Sequence, residues 1–484
     1  MATWVIPGSS LIDGAGWKIW YSRPGHGEFT PEPVRVFRGQ QQEKIDPDPP
    51  KWSPLPDLPG LDRRMGILSV RLFQPKPGAL YEIHIPEAES SEPFRWRTLP
   101  NTKDPDPDVI GPHGVSFLLA SCFWHDNDRE GTYLAAVRHL TKQWSPAFKL
   151  LVGDQVYGDW PADYLPDFTG HPEVEVYADR YTEYWGDSAY REMMQSSPNF
   201  FTCDDHEFWN DYPEKQVHLT RSWPESRDKY ARAAQALYER FQSCANPGVK
   251  PWYRFAVGDV SFFVTDSRSQ RDFFDGEKQP PHFFQEAQSQ DLEQWARELR
   301  GPGVLVLGQP LFQKDGDWRD HSLSNFAEDY GRLWSVIEGS IVGANDEGKP
   351  HDILVLSGDI HTGRFAVGRR GGLNAPEGTP ELIASPASMI RPGSKETEEP
   401  DYKFRVHHKG HTTAWEVDRH PFMTLHNNVG MVRLLPGTNG RVLFELSIYQ
   451  VRPYDSRSWW DRLVGDAAPG ASLIRLFRKE IELR

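Results

Sequence analysis

Three short apolar runs in this sequence each end in acidic or imidazole-bearing residues, and this repeated pattern limits the possible folds more than any other feature. The run in FKLLVGDQVYGDW ends at Gly153 and Asp154, and the run in FFTCDDHEFWND ends at residues 204–207. The run in ILVLSGDIHTG ends at Asp359 and His361. Short apolar runs bounded in this way are typical of buried strands, and open α/β sheets bind ligands at the carboxyl ends of their strands. The pattern therefore predicts an α/β domain with a site at one sheet edge.

Length and charge narrow the function classes. A chain of 484 residues is long enough for two or more domains. Its 54 Lys and Arg against 69 Asp and Glu give a net charge of −15, which argues against nonspecific nucleic-acid binding because that needs a basic surface. An anionic substrate is still compatible with this charge, because bound cations invert the local field of a carboxylate cluster.

The cysteine count and the N-terminal stretch bear on the compartment. Three cysteines are too few for a disulfide framework and suit a reducing compartment. The stretch MATWVIPGSSLIDGAGW lacks the basic and apolar regions of a secretory signal. The sequence contains no run of about 18 apolar residues, the length that would predict a membrane-spanning helix. We therefore expect a cytoplasmic protein with no transmembrane segment.

The residue pattern divides the chain into three parts. Residues 1–112 contain short β-branched and aromatic segments separated by Pro, Gly and Asp, and predict a small all-β, fibronectin-type or immunoglobulin-like sandwich. Residues 113–455 alternate strand and helix patterns, with helices predicted for YADRYTEYWGDSAYREMMQ and RDKYARAAQALYERFQS. Residues 456–484 predict a helical tail that packs on its own domain or, as the alternative, lies on a membrane surface.

The acids at the predicted strand ends suit a centre for two cations. Such a centre needs a bridging carboxylate, further oxygen or nitrogen ligands and an open position. Asp154 is the candidate bridge because it follows a central strand, and His206 is a candidate general acid or phosphate ligand. The candidates for the second cation or its surroundings are Asp205, Asn210, Asp359 and His361.

Cys122 and Tyr157 are unusual members of this set. A thiolate with a phenolate favours a redox-capable, charge-dense ion such as ferric iron over magnesium alone. Taken singly, each residue has a common structural explanation, since a strand-end cysteine is usually a small buried hydrophobe and a Gly-Asp pair is a common turn. Their coincidence at the ends of several predicted strands in one domain favours a metal site.

The order SC…GDQVY…DDHE…TDSRSQR…GDIH resembles the metallophosphoesterase superfamily, in the form of the alkaline phosphatase D (PhoD-like) family. The usual blocks are Asp-x-His, Gly-Asp, Gly-Asn-His-Glu/Asp and Gly-His-x-His. Here Cys122 replaces the first block, while Asp205 and Asp359 stand in place of the usual Asn and first His. The resemblance runs from about Val115 to Tyr449.

The resemblance implies a fold and an activity. The fold is an α/β (α+β) metallophosphoesterase-like two-sheet sandwich flanked by helices and preceded by the small β-sandwich domain. The activity is metal-dependent hydrolysis of phosphoric mono- or diesters, in which a metal-bridged hydroxide attacks a small phosphorylated substrate.

The resemblance also implies ligand sets and roles. A ferric ion would be held by Cys122, Asp154 and Tyr157. A second divalent cation, calcium in studied relatives, would be held by Asp154, Asn210 and Asp359, with Asp205 as a further ligand. The phosphoryl group would be bound or protonated by His206 and His361. Arg268 would steady the phosphate or, on the alternative interpretation, form a salt bridge to Asp266 or a neighbour.

Two departures from the family pattern concern export and the pocket. Members are often exported through a twin-arginine signal, which we do not find here, and segments 161–197 and 313–350 differ from the family and are expected to shape the pocket. An alternative function is a non-catalytic metal-binding or scaffold protein that uses its β-sandwich as a binding module. The competent side chain at every expected ligand position favours the enzyme.

Overall fold

The computed structural model describes most of the chain. The described residues are 3–25, 28–88, 92–100, 114–128, 131–159, 173–217, 219–273, 282–316, 321–375, 378–389, 397–451 and 473–484. The predicted boundary near residue 112 and part of the segment 161–197 lie outside these ranges. The domain limits therefore stay a prediction.

The N-terminal region consists of two antiparallel four-stranded sheets, with the orders β1-β2-β6-β5 and β4-β3-β7-β8. Their strands are β1 Trp4–Ser10, β2 Gly16–Pro24, β3 Arg35–Arg38, β4 Gln41–Gln42, β5 Lys51–Pro54, β6 Arg63–Arg71, β7 Leu80–His84 and β8 Phe94–Arg97. Both sheets contribute to one buried core, in which Trp17 contacts Tyr81 and Trp96 with ring centroids 5.6 and 6.2 Å apart. The all-β leader has the expected strands, and its fibronectin-type or immunoglobulin-like class stays a prediction.

The larger region mixes strands and helices. Its strands are β9 Val115–Ala120, β10 Phe148–Val152, β11 Asn199–Thr202, β12 Tyr253–Val257, β13 Val260–Val264, β14 Gly303–Val306, β15 Ile353–Ser357, β16 Gly363–Arg370, β17 Gly378–Ile383, β18 Lys403–His408, β19 His411–Val417, β20 Phe422–Thr424, β21 Asn428–Pro436, β22 Val442–Val451 and β23 Leu473–Leu483. Its α-helices are α1 Thr132–Trp144, α2 Glu173–Gly186, α3 Ser188–Gln195, α4 Arg227–Phe241, α5 Glu286–Arg297 and α6 Ala327–Ile341.

Two mixed sheets of this region face each other across an apolar core. One sheet has the order β11-β10-β9-β21-β22-β23, and the other has the order β12-β13-β14-β15-β17-β16-β19-β18, with β20 paired to β16. Strands β9, β10 and β11 are parallel neighbours, as are β13, β14, β15 and β17. Rings from the two sheets meet between them, since Phe148 lies 5.5 Å from Phe255 and 5.9 Å from Phe262. The result is an α/β fold with two sheets, as expected.

Helices cover the outer faces of both sheets. Helices α1 to α4 share a buried cluster with the six-stranded sheet, and α5 and α6 share one with the nine-stranded sheet. The N-terminal sheets pack on the first of these layers, because the indole of Trp20 donates to the carbonyl of Arg240 at 2.7 Å. The single helix predicted for YADRYTEYWGDSAYREMMQ is two helices, since Asp187 accepts from the backbone N–H of Tyr190 and caps the start of α3.

The predicted helical tail is wrong for its described part. Residues 473–483 form strand β23, which pairs along the whole length of β22, from Leu473 opposite Val451 to Leu483 opposite Val442. Leu483 joins the core between the two sheets, and Phe477 and Ile481 pack against it. Pairing with β22 gives the backbone of this segment its hydrogen-bond partners, and Leu483 at its end is buried. Residues 456–472 lie outside the described residues. In the described ranges no helix is long and apolar enough to cross a membrane.

Candidate metal centre

Strand ends from both sheets bring the predicted residues together. Cys122 follows β9 and Asp154 follows β10, each two residues after the strand ends, while Asp205 follows β11 by three residues. Asp359 follows β15 of the other sheet, and the thiol of Cys122 lies 3.5 Å from its backbone carbonyl. Since β9, β10 and β11 are adjacent and parallel, their carboxyl ends share one edge. The prediction of one site at that edge is consistent with this arrangement.

The backbone at this edge is unusual. Cys122, Asp154, Asp359 and His361 all adopt positive φ angles, of 57°, 53°, 69° and 48°. Residues with a Cβ enter this left-handed region rarely and at a cost of about 1–2 kcal/mol, and such strain is concentrated at functional sites. A side chain at Gly153 would place its Cβ 2.5 Å from that of Asp204, so glycine permits the close approach of the β10 and β11 loops.

One corner of the site carries the thiol. The Cys122 sulfur lies 3.4 Å from Oδ2 of Asp154, and the ligand atoms of Cys122, Asp154 and His361 all lie within 4.8 Å of one another. The Tyr157 hydroxyl lies 3.4 Å from Nε2 of His361. Burial and the negative charge of Asp154 raise the pKa of the Cys122 thiol well above its usual value. The predicted ferric-site residues therefore converge, and their role as ligands stays a prediction.

The opposite corner is rich in carboxylates. Ligand atoms of Asp154, Asp205 and His206 lie within 4.8 Å of one another, as do those of Asp204, Asp205 and Asp359. Burial and the charge of Asp205 raise the pKa of Asp154 well above its usual value. Burial alone would raise the pKa of Asp205, but the positive charges of His206 and Arg268 hold that pKa below its usual value. The shared burial of these acids makes their charge costly in the absence of a cation.

The two imidazoles of the site differ in their surroundings. His206 places Nδ1 2.7 Å from Oδ1 of Asp159. Although burial opposes it, the charges of Asp159 and Asp205 raise the pKa of His206 well above its usual value. Burial and the charge of His206 lower the pKa of His361 to about 4. Asp159 had no assigned role, and its only sequence signal is its place in GDQVYGDW.

Glu207 ties the β10 and β11 loops together. Its Oε2 accepts from the backbone N–H groups of Asp154 and Asp204, each at 2.9 Å, and its Oε1 accepts from the N–H of Gln155 at 2.7 Å. The Gln242 side chain donates to the same Oε1 at 3.2 Å. Burial raises the pKa of Glu207 to about 7. The sequence shows Glu207 as part of DDHE, without this role.

Arg268 forms the neighbour ion pair that the alternative interpretation allowed. Its Nε donates to Oδ1 of Asp204 at 2.5 Å and its Nη1 donates to the carbonyl of Tyr212 at 2.8 Å. Both partners of the ion pair are buried, at 1% and 0% side-chain exposure. Asp266 accepts from the backbone N–H of Arg268 at 3.1 Å. The structure thus places the guanidinium against Asp204 rather than at an open surface.

Asn210 reaches the cluster through its neighbours. Its side chain donates to Asp211 at 2.6 Å, and the backbone N–H of Asp211 donates to Oδ2 of Asp205 at 2.5 Å. The backbone N–H of Asn210 donates to Asp159 at 2.7 Å. Asn210 therefore lies beside the carboxylate corner, and a direct ligand role remains a prediction.

A further polar chain supports Asp359. The amide of Gln309 donates to Oδ2 of Asp359 at 3.2 Å, and the guanidinium of Arg271 donates to Oε1 of Gln309 at 2.5 Å. Gln309 follows strand β14 in GVLVLGQ, so its place after an apolar run was a usable signal. The sequence alone could not show that Gln309 contacts Asp359, because that contact depends on β14 and β15 being neighbours in the sheet.

A sequence model of the PhoD-like phosphatase family matches residues 117–434. The chain belongs to the PhoD-like phosphatase family. All residues of the candidate centre lie within the matched range. Membership assigns a phosphoesterase activity in general, metal dependence and small phosphoester substrates. No curated protein sequence matches the chain significantly.

One solved structure agrees with this PhoD-like assignment at the level of the fold. The structure titled "Structure of PhoD" is 18% identical to the chain, with a TM-score of 0.64 over 99% of this chain and 91% of that one. "GAP50 the anchor in the inner membrane complex of Plasmodium" is 13% identical, with a TM-score of 0.35 over 69% and 84% of the two chains. The second similarity is too low to support an argument.

The donor atoms of this PhoD-like centre fit metal ions. Thiol, phenol and imidazole groups suit a transition metal, and clustered carboxylates suit a hard divalent cation. The buried carboxylates are balanced by fewer cationic groups, and a bound cation would neutralise the excess. The carboxylates in question are Asp154, Asp204, Asp205, Glu207 and Asp359.

Proposed function

We propose that the chain hydrolyses phosphoric esters at a centre for two cations that share the carboxylate of Asp154. The observation that supports this most strongly is the position of Asp154. It belongs both to the group with Cys122 and His361 and to the group with Asp205 and His206. A carboxylate common to two ligand groups is what a dinuclear hydrolase requires.

We infer that the two corners hold different ions. The thiol corner, with Cys122, Asp154 and Tyr157, suits ferric iron because thiolate, carboxylate and phenolate are anionic donors, and together they stabilise a charge-dense, redox-capable ion. The second cation would be calcium or another divalent ion at the carboxylate corner, whose proposed ligands are Asp154, Asp205, Asn210 and Asp359. Bound cations would neutralise charge on the phosphoryl oxygens and lower the pKa of a water molecule.

The chain's own residues would orient the substrate and move protons. Asp159 fixes the ring of His206 through Nδ1, which leaves Nε2 for a phosphoryl or leaving-group oxygen. Tyr157 packs on that ring, with centroids 4.1 Å apart, and restricts its rotation. A ring nitrogen of His361 lies within 4.8 Å of the ligand atoms of Cys122 and Asp154 at the thiol corner. His361 is therefore proposed as a metal ligand or as a second contact to the phosphoryl group. Arg268 is proposed to act through Asp204, as a positioning residue.

Chelation and reloading test the proposal. The purified protein would be assayed with p-nitrophenyl phosphate and bis(p-nitrophenyl) phosphate before chelation, after it, and after addition of iron and calcium. We expect activity to disappear on chelation and to return only when both ions are restored. The ratio of the two rates would classify the enzyme as a monoesterase or a diesterase. Full activity in thoroughly metal-free protein, or no activity in fully loaded protein, would contradict the proposal.

A further inference from the structure

A cavity separate from the metal centre lies between the N-terminal sheets and the outer helices of the larger region. It has a volume of about 450 Å³ and is lined by residues of β8, of the C-terminal half of α1 and of α3. None of its lining residues belongs to the metal centre. The two regions meet directly beside it, since the indole of Trp96 donates to the carbonyl of Gln195 at 2.8 Å.

The lining of this interdomain pocket is strongly cationic in an acidic chain. Four of its side chains are positively charged, Arg95, Arg97, Arg138 and Lys142, and one is negative, Glu192. Glu82, which is not among the lining residues, pairs with Arg95 at 2.8 Å, so an excess of two positive charges remains at the pocket, whereas the whole chain carries −15. Both outer arginines have carboxylate partners, since Arg138 contacts Glu192, which is 56% exposed, and Arg95 pairs with Glu82, which is 34% exposed.

Two of the four cations have no carboxylate partner in the described ranges. Lys142 is exposed in the last turn of α1. Arg97 donates through Nη1 to the carbonyl of Gly78 at 2.9 Å, but its buried Nε has no hydrogen-bond partner in the described structure. Burial lowers the pKa of Arg97. Arg97 is half-buried, and its guanidinium has lost part of its hydration without gaining a counter-charge. An anion that accepts from it would offset this cost.

The remaining walls are apolar. Leu80, Pro93, Phe94 and Pro146 line the pocket, and Leu80 is 41% exposed. The ring of Phe94 is held by stacking on Trp96 at 5.4 Å. Pockets of about 300–1,000 Å³ that combine apolar walls with a few convergent polar groups bind small molecules.

We propose that the interdomain pocket binds a phosphorylated small molecule with an aromatic or other apolar body. Arginine presents paired N–H donors that match phosphate oxygens, and the two cations without a carboxylate partner, Arg97 and Lys142, suit a phosphoryl dianion better than a single carboxylate. Free inorganic phosphate shares the anionic half of this chemistry, but it cannot use the apolar walls. The aromatic ligand should therefore bind more tightly than inorganic phosphate.

Calorimetric titration with phenylphosphonate tests this pocket, because its carbon–phosphorus bond resists hydrolysis. The metal-loaded protein would be compared with Lys142→Glu and Arg97→Gln. We expect each substitution to weaken one binding event by about tenfold or more, with hydrolysis of p-nitrophenyl phosphate unchanged. Lys142 is exposed, so Lys142→Glu keeps the test valid if Arg97→Gln folds poorly.

Lys229→Glu is the matched control, since Lys229 is an exposed lysine on helix α4 and makes the same change of charge. It should bind phenylphosphonate like the wild type. Equal binding by Lys142→Glu and the wild type would overturn the proposal. Inorganic phosphate that binds the pocket as tightly as phenylphosphonate would overturn the part that rests on the apolar walls.

Discussion

Two buried charged groups in this protein balance their charges in different ways. Glu381 and Arg364 form an isolated ion pair at 2.9 Å, with side-chain exposures of 0% and 1%. The second oxygen of Glu381 accepts from the backbone N–H of Leu311 at 2.5 Å. At the strand ends, by contrast, Asp154 and Asp205 are buried as close neighbours, and the charge of Asp205 raises the pKa of Asp154. The charges of Glu381 and Arg364 cancel, whereas the cluster around Asp154 and Asp205 has excess negative charge.

This difference separates a structural role from a functional one. A buried ion pair whose charges neutralise each other serves the fold, and removal of one partner leaves the other charge buried and unpaired. Buried carboxylates that repel each other cost stability, and proteins retain such arrangements where they bind cations or perform chemistry. Substitutions in the two groups should therefore have opposite effects on stability and on activity.

The largest expected effect is the loss of turnover in Asp154→Asn. Removal of the shared carboxylate should lower kcat by about a thousandfold or more, because both cations lose a charged ligand. The same substitution removes a repulsive charge, so unfolding in urea with chelator present should show no loss of stability. Asp329→Asn is the control, since Asp329 is also buried but accepts from the backbone N–H groups of Phe283 and Phe284. Near wild-type activity in Asp154→Asn would contradict the functional role assigned to the buried carboxylates.

Substitution of the Glu381–Arg364 ion pair should lower stability but leave metal binding unchanged. Glu381→Gln should lower the free energy of unfolding by about 3–5 kcal/mol, because it leaves Arg364 buried without its counter-charge. Metal content per folded chain should remain that of the wild type. Arg364→Met combined with Glu381→Gln should recover part of the lost stability. A Glu381→Gln protein that is as stable as the wild type but binds less metal would show that this pair belongs to the centre after all.

Glu207 has both a structural and a functional role, because it holds the loops that carry the proposed ligands, and its substitution should have a smaller effect than that of Asp154. Glu207→Gln replaces one acceptor oxygen by an NH₂ group facing backbone donors, so the Asp154 loop should lose its fixed position. We expect metal affinity to fall by about 10–100-fold, as for other residues that orient ligands, measured by titration of the chelated protein. Glu214→Gln is the control, because buried Glu214 pairs with His321 at 3.0 Å rather than with these loops. Equal metal affinities in the two variants would contradict the positioning role.

The strand-end positions of Cys122, Asp154 and Asp359 could be predicted from the sequence, because each lies two residues after an apolar run and that signal is local. Their roles as ligands stay a prediction. The contacts among the loops could not be predicted. Glu207 and Asp159 look like acids of a solvated turn until the β10 and β11 loops pack together. For Arg268, both a phosphate contact and an ion pair satisfied the same local sequence.

The order of strands and helices could be predicted from the sequence, but the edge strand formed by the end of the chain could not. The apolar runs identified the parallel strands, and the amphipathic spacing of RDKYARAAQALYERFQS identified α4. The end of the chain was predicted wrongly, because LIRLFRKEIEL supports both a helical and an alternating pattern. Pairing with β22 selects the strand, and that pairing depends on a partner more than twenty residues away in the chain.

Metal content, measured together with the visible spectrum, is the most direct test of the account. Protein purified without chelator should contain about one iron and at least one divalent ion per chain, with a charge-transfer band that is lost or shifted in Cys122→Ser. Zinc or manganese without such a band would contradict the role assigned to Cys122. A protein that contains no metal and takes up none on titration would contradict the central claim that the buried carboxylates around Asp154 hold cations.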